Sequence, residues 1–280
     1  MTRNTFARLL SPALLLFFLG CKEPKESQQR SAEAQEPRPR PVRVQEAQEV
    51  VCSRYSEVKA HHILLLILDR SGSVQDGSQN RFSRIQTDAA NFVQRFPSAT
   101  IILGRYISDR SYSDAESFLE DAIPAEPLVL ECKVTNPFDP AQRRKCQLEE
   151  RRYQTQLRCV EEARKRIAAV LLNLTPPRAQ RSDIWGAIAA ASEILGAYPA
   201  HVHKMVVIYS DLVDNVRTPL PESLSGLKDV EVVVRTAING APTEVARRVD
   251  AFRDRLSPWG ANVKPIPLNV AMTMDELFDQ

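Results

Sequence analysis

The strongest constraint on the fold is a short apolar run followed at once by an acidic, hydroxyl-rich segment, HHILLLILDRSGSV at residues 61–74. Residues 63–68 are too few to cross a bilayer, and such an unbroken apolar run is typical of a strand buried on both faces of a parallel sheet. The strand is predicted to end at Asp69, with Ser71 and Ser73 at alternate positions after it. Alternate side chains in a tight loop can converge on one point. One carboxylate and two hydroxyls suit a hard divalent cation such as Mg²⁺.

The rest of the chain alternates between strand and helix patterns. Further strands are predicted at 99–107, 117–125, 204–211, 230–238 and 263–268. Helices are predicted from a capping-box pattern at Ser83, from Ala141, from Ser182 and over 243–256. This alternation predicts an α/β fold of the doubly wound type, a mostly parallel sheet with helices on both faces.

Residues 126–178 interrupt the alternation with a long helical stretch that is basic at its start and apolar at its end. We interpret this segment as a helical, cysteine-containing insertion held down by disulfides. Two interpretations of its charge stay open. The helix either presents a solvated face or forms a basic surface for anionic lipid, polysaccharide or a protein partner.

The N-terminal residues have the pattern of an export signal. Arg3 and Arg8 precede an apolar run at 9–19 that is too short for a membrane-spanning helix. The run ends in FLGC, and a small residue followed by Cys21 resembles the lipobox of bacterial lipoproteins, with Phe18 in place of the usual leucine. The resemblance implies cleavage before Cys21, lipidation (palmitate) of its thiol and a location in the cell envelope, at the outer membrane or periplasm in a Gram-negative cell.

Four parts of the chain are predicted from these patterns. Residues 22–50 contain almost no large apolar side chains, and Pro37, Pro39 and Pro41 alternate with arginine, which is typical of a disordered, partly extended tether. The predicted parts are a signal peptide at 1–20, a lipidated disordered tether at 21–50, a folded domain at 51–270 and a C-terminal tail at 271–280.

Four cysteines remain once Cys21 carries a lipid, and an even number outside the cytoplasm predicts two disulfides among Cys52, Cys132, Cys146 and Cys159. In one continuous helix Cys146 and Cys159 are ~20 Å apart, which is too far for a disulfide. Cys132 is therefore expected to bond one of them and Cys52 the other.

The overall charge and the catalytic motifs narrow the class of function. A net charge of +2 gives no electrostatic case for nucleic acid as the partner. The sequence contains no nucleophile-elbow pattern, no phosphate-binding glycine loop and no dinucleotide fingerprint. We therefore expect a binding protein rather than an enzyme.

Three motifs occur in the order found in the von Willebrand factor A domain, and over residues 60–270 the chain resembles that family. That domain carries a metal-ion-dependent adhesion site built from a D-x-S-x-S loop, a threonine at a helix entry and an aspartate at a strand end. The matching residues here are Asp69, Ser71, Ser73, Ser182 of SDIWGAI and Asp211 of YSDL. The resemblance implies that these residues bind Mg²⁺, with Mn²⁺ or Ca²⁺ as alternatives. It also implies that an acidic side chain of a protein partner completes the coordination.

Two residues depart from the family pattern. Ser182 replaces the usual threonine and keeps the hydroxyl, while Leu212 replaces the glycine that usually follows the strand-end aspartate. Two of the predicted ligands also have a structural alternative. Ser182 could be a helix N-cap, with Asp183 favouring the helix dipole, and Asp211 could be a turn residue.

All four histidines precede the strands that end near Asp69 and Asp211. His61, His62, His201 and His203 are therefore expected to lie together at the opposite rim of the sheet. They could form a transition-metal or pH-sensing cluster, or they could be ordinary polar strand ends.

The sequence thus supports two functions from different classes. The first is a lipid-anchored, divalent-metal-dependent module that binds a protein partner at the cell envelope, and that touches the membrane only through its anchor. The second is a scaffold that binds partners or anionic surfaces through the basic insertion, with a vestigial metal site.

Overall fold

The strand predicted from the apolar run is the centre of the sheet. In a computed structural model of the protein, β1 spans His62–Asp69 and lies between two strands that are parallel to it, β2 (Thr100–Ile107) and β4 (His203–Tyr209). Every side chain from Ile63 to Leu68 is at most 1 % exposed. The expectation of a strand buried on both faces is confirmed.

The structure describes residues 52, 60–69, 80–113, 116–129, 132, 138–175, 179–216, 219, 222–236 and 242–272. The predicted signal peptide, the lipidation site Cys21 and the tether lie outside these residues, as do Ser71, Ser73 and residues 273–280 of the predicted tail. Among the described residues, no helix is both long and apolar enough to span a membrane.

The sheet has six strands in the order β3-β2-β1-β4-β5-β6. The edge strand β3 is antiparallel to β2, and the other neighbouring pairs are parallel. The remaining strands are β3 (Ser117–Ile123), β5 (Glu231–Arg235) and β6 (Asn262–Pro265). The chain runs outward from β1 in one direction and then returns to build the other half from β4, which is the doubly wound arrangement expected from the sequence.

Helices cover both faces of the sheet because alternate residues of β1 point to opposite sides. Leu64 and Leu66 belong to one apolar cluster with helices α1 and α2, while Ile63 and Leu65 belong to a second with α3 and α4. The helix bounds are α1 Asn80–Arg95, α2 Pro140–Leu172, α3 Ile184–Gly196 and α4 Pro242–Leu256. The predicted α/β fold class is confirmed.

Two helix predictions need correction. Helix α1 begins at Asn80, so Ser83 lies inside its first turn and the capping-box assignment was wrong. Helix α2 starts one residue before the predicted Ala141, with Asp139 as its N-cap and Pro140 at the first helical position. Its C-terminal half is not a solvated insertion, because its apolar residues, including Val160, are buried in the core cluster beside α1.

The disulfides agree with the prediction that Cys146 and Cys159 do not bond each other. Cys52 is bonded to Cys159, and Cys132 is bonded to Cys146. Both bonds therefore end on α2, one near its start and one at its middle.

Candidate metal centre at the carboxyl edge of the sheet

The parallel pairing of β1 and β4 brings the carboxyl ends of the two strands to the same edge. Asp69 is the last residue of β1, and Leu68 pairs with Tyr209, the last residue of β4. Ser210 and Asp211 follow Tyr209 directly. The polar residues after both strands therefore meet where ligands bind in open α/β sheets.

Asp69 is the buried centre of this edge, with 1 % of its surface exposed. The Ser182 hydroxyl donates to its carboxylate at 3.0 Å and 3.3 Å from the two oxygens, and the Ser210 hydroxyl donates at 2.7 Å. Burying a carboxylate is costly unless its oxygens accept hydrogen bonds. The two hydroxyls meet that requirement, and the predicted proximity of Asp69 and Ser182 is present in the structure.

Ser182 is not the N-cap of α3. That position belongs to Asp183, whose side chain accepts a hydrogen bond from the backbone N–H of Gly186 at 2.8 Å. The N-cap alternative for Ser182 was therefore wrong, and its hydroxyl is directed to Asp69. Because the Asp183 side chain caps the helix, the Ser182 hydroxyl is free to donate its hydrogen bond to Asp69.

Asp183 also fastens the entrance of α3 to the loop after β2. Its carboxylate accepts from the Ser111 backbone N–H at 3.1 Å, and its own N–H donates to the Ser108 carbonyl at 2.8 Å. Sequence reasoning assigned this residue only to the helix dipole. An aspartate three residues before Gly186 is well placed to accept the Gly186 N–H, so the sequence could have indicated that Asp183 is the N-cap.

Asp211 lies in the loop after β4, two residues beyond the strand rather than at its end. One of its carboxylate oxygens accepts from the Val213 N–H at 3.0 Å, and its backbone carbonyl accepts from Arg248 at 2.8 Å. The turn-forming alternative is thus present in the structure. Among the described residues, none donates a hydrogen bond to the second carboxylate oxygen of Asp211.

Ser210 also belongs to the candidate site, and the sequence analysis did not include it. Its hydroxyl donates to Asp69 and accepts from the backbone N–H of Leu212 at 3.0 Å. Leu212 has a left-handed backbone with φ of 58°. The sequence could have indicated this role, because Ser210 directly follows a buried strand that pairs with β1.

Asp214 and Asn215 pin the same loop to the entrance of α3. The Ile184 N–H donates to the Asp214 carboxylate at 3.1 Å, and the Asn215 N–H donates to the Ser182 carbonyl at 3.0 Å. Ser182 is therefore held from its backbone as well as through its hydroxyl.

The donor set fits a hard divalent cation in type. The described site supplies carboxylate and hydroxyl oxygens only, which Mg²⁺, Mn²⁺ and Ca²⁺ prefer over nitrogen or sulfur ligands. Within the described ranges, no group of three or more His, Cys, Asp or Glu residues is placed to hold a metal ion. Two further residues of the predicted ligand set, Ser71 and Ser73, lie outside the described residues.

The histidines lie at the opposite, amino edge, as predicted. His62 pairs with His203 across β1 and β4, and their ring centroids are 5.7 Å apart. Burial lowers the pKa of His62, and the neighbouring His203 and His61 lower it further. His201 and His203 line a cavity of ≈ 620 Å³. Within the described residues, the histidines are not part of a group of three or more His, Cys, Asp or Glu residues placed to hold a metal ion.

Comparisons with known proteins give similarity at the level of structure only. No protein-family model matches the chain, and no curated protein matches it. Similar solved structures include a von Willebrand factor type A protein from Catenulispora acidiphila, with 14 % identity, a TM-score of 0.41 and 74 % of this chain covered. Another is proximal thread matrix protein 1 from the mussel byssus, described with a zinc-occupied MIDAS motif, with 15 % identity, a TM-score of 0.41 and 68 % coverage. The chain spans 39 % of the length of each of these two structures.

A third similar structure is an aerotolerance-related membrane protein from Bacteroides fragilis, with 13 % identity and a TM-score of 0.39. The match covers 78 % of this chain and 97 % of that one. A von Willebrand factor type A protein is thus among the structural neighbours of this chain.

Proposed function

We propose that the protein is a cell-envelope lipoprotein that binds a protein partner through a divalent cation held at the carboxyl edge of the sheet. The observation that carries the proposal is the burial of Asp69 between the hydroxyls of Ser182 and Ser210, which come from separate elements. A buried carboxylate flanked by two hydroxyl groups offers the oxygen ligands that a hard divalent cation prefers.

The residues that would hold the ion are those matched to the adhesion-site pattern. Asp69 and Ser182 come from the described site, and Asp211 lies in the adjoining loop with one carboxylate oxygen committed to the Val213 N–H. Ser71 and Ser73 complete the set by sequence resemblance. When bound, the ion supplies a Lewis-acidic position that accepts an acidic side chain of the partner.

Binding fits the site better than catalysis. The Ser182 hydroxyl donates to a carboxylate rather than to an imidazole, and the histidines lie at the other edge of the sheet. The base that activates a serine nucleophile is usually an imidazole, a lysine or an N-terminal amine. The lipid anchor at Cys21 would hold this binding edge at the envelope.

The test is calorimetric titration of Mg²⁺ and Mn²⁺ into the full-length protein and into an Asp69→Asn variant. We expect saturable binding to the native protein and at least about tenfold weaker binding to the variant, because one charged ligand is lost. Asp254→Asn removes an exposed carboxylate of α4 and serves as the matched control. Circular dichroism verifies that the variants are folded. Equal affinity of the native protein and Asp69→Asn would refute the proposed site.

A further inference from the structure

Helix α2 carries a row of cations that the metal site does not use. Arg144, Arg151, Arg158 and Lys165 follow one another at intervals of seven residues, and all four are exposed. We call these residues the basic stripe. Seven residues are close to two helical turns, so the four side chains lie along one side of the helix over ~30 Å.

The basic stripe lies opposite the side of α2 that packs on the protein. At ~100° per residue, the stripe and the buried residues point about 180° apart around the helix axis. The buried residues are Cys159, Val160, Ala163, Ile167, Ala168 and Leu171. The stripe is therefore the outermost line of the helix.

The stripe differs in pairing from other cations of the same helix. Arg164 pairs with Glu126, and Arg166 pairs with Asp121, so these two fasten α2 to neighbouring segments. Over the parts of the chain that the structure describes, no member of the stripe forms an ion pair or a side-chain hydrogen bond. Four positive charges are thus presented to solvent without carboxylate partners.

A disulfide places the start of the folded domain beside the stripe. Cys52 is bonded to Cys159, the residue after Arg158. The predicted lipidated residue Cys21 precedes Cys52 by about 30 residues, and a random coil of that length has an r.m.s. end-to-end distance of ~30 Å, which proline and charge increase. A tether of this length would allow the middle of α2 to reach the bilayer surface.

We propose that the basic stripe docks on anionic phospholipid headgroups of the membrane that holds the anchor. A straight, outermost line of cations can contact a flat, negatively charged surface at all four positions at once. Arginine and lysine near an anionic leaflet each strengthen association about fivefold. Docking by α2 would fix the orientation of the domain on the membrane, and it is independent of the metal site at the sheet edge.

The experiment measures how fast phenylglyoxal modifies individual arginines in the full-length protein. The protein is added to vesicles of phosphatidylcholine alone or of phosphatidylcholine mixed with phosphatidylglycerol, and modified peptides are quantified by mass spectrometry. We expect Arg144, Arg151 and Arg158 to be protected only on the mixed vesicles. Protection should disappear at ~1 M NaCl, where the Debye length falls to ~3 Å. Arg247, an exposed residue of α4, is the internal control.

A charge-removal variant tests the stripe itself. The Arg151→Gln, Arg158→Gln double variant should lower the protection factor of Arg144 about 25-fold, since two cations near the surface are lost. A matched Arg84→Gln, Arg247→Gln double variant, on exposed positions of α1 and α4, should leave it unchanged. Equal modification on both vesicle types would overturn the proposal. So would protection by a soluble polyanion such as heparin but not by phosphatidylglycerol, because it would identify a polysaccharide-type ligand.

Discussion

At the scale of single residues, Ser210 joins the buried carboxylate to the backbone of the loop that follows β4. Its hydroxyl serves Asp69 as a donor and Leu212 as an acceptor. A leucine in the left-handed region costs ~1–2 kcal/mol, which glycine would avoid. The hydrogen bond from the Leu212 N–H and the packing of its half-buried side chain on the core explain why leucine is tolerated where the family pattern has glycine.

We predict that Ser210→Ala destabilises the protein by about 1–3 kcal/mol, because a buried carboxylate loses a donor and a backbone N–H loses its acceptor. Metal affinity should also fall, since Asp69 is no longer held in place. Urea unfolding and calorimetric titration measure the two effects. Ser113→Ala, at an exposed position, is the control, and a Ser210→Ala variant as stable as the native protein would contradict the assigned role.

The residue-level site was only partly predictable from the sequence. The convergence of Asp69 and Ser182 followed from motif order and parallel strands. The sequence did not show that Asp183, and not Ser182, caps α3. Serine and aspartate are both good N-caps, so the residue types alone do not decide between them. Ser210 was not predictable from the motif, because the family pattern assigns the ligand to the following aspartate and burial of the Ser210 hydroxyl is visible only in the folded structure.

At the scale of elements, a buried arginine joins three segments on one face of the sheet. Arg235, the last residue of β5, has no exposed surface, pairs with Asp88 of α1, and donates to the carbonyls of Pro267 and Val270 at 2.8 Å. Tyr209 donates to the same carboxylate at 2.9 Å. Burial and the nearby Asp88 carboxylate raise the pKa of Tyr209 well above its usual value, so its hydroxyl stays protonated.

We predict that Arg235→Met destabilises the protein by about 3–5 kcal/mol, because removing one member of a buried pair leaves an uncompensated charge and unsatisfied carbonyls. The effect appears as a lower urea midpoint. Arg247→Met removes an exposed arginine of α4 and should change stability by less than about 0.5 kcal/mol. A similar loss in the two variants would show that Arg235 does not hold the segments together.

Most elements were predictable because their hydrophobic periodicity is strong, as in β1, where a fully apolar run leaves no alternative to burial on both faces. The start of α1 and the role of α2 were less accessible. Ser83 fits a capping box locally, yet the helix continues back to Asn80. The polar first half of α2 concealed its role as a core layer, since only tertiary packing shows that Val160 and Ile167 bury against α1.

At the scale of the whole molecule, the two disulfides close loops of very different length. The Cys52–Cys159 bond spans a sequence separation of 107 and the Cys132–Cys146 bond a separation of 14. A disulfide stabilises the folded state by restricting the unfolded chain, and the effect grows with loop length. The expected contribution to the free energy of unfolding is ~5 kcal/mol for the longer loop and ~3 kcal/mol for the shorter one.

We therefore predict that the Cys52→Ala, Cys159→Ala variant loses more stability than the Cys132→Ala, Cys146→Ala variant. The difference should be about 2 kcal/mol in the free energy of unfolding, measured with urea. The second variant is the matched control, because it also removes one bond ending on α2. An equal or reversed order would show that loop closure is not what these bonds contribute.

The attachment of Cys52 to α2 has a mechanical consequence. If the anchor is fixed in a membrane while a partner pulls on the carboxyl edge, tension reaches the domain through the chain before Cys52. The covalent bond to Cys159 offers that tension a path directly into the long helix. The central strand β1 then need not bear the load alone, and the hydrogen bonds that hold it between β2 and β4 are shielded from being pulled apart one after another.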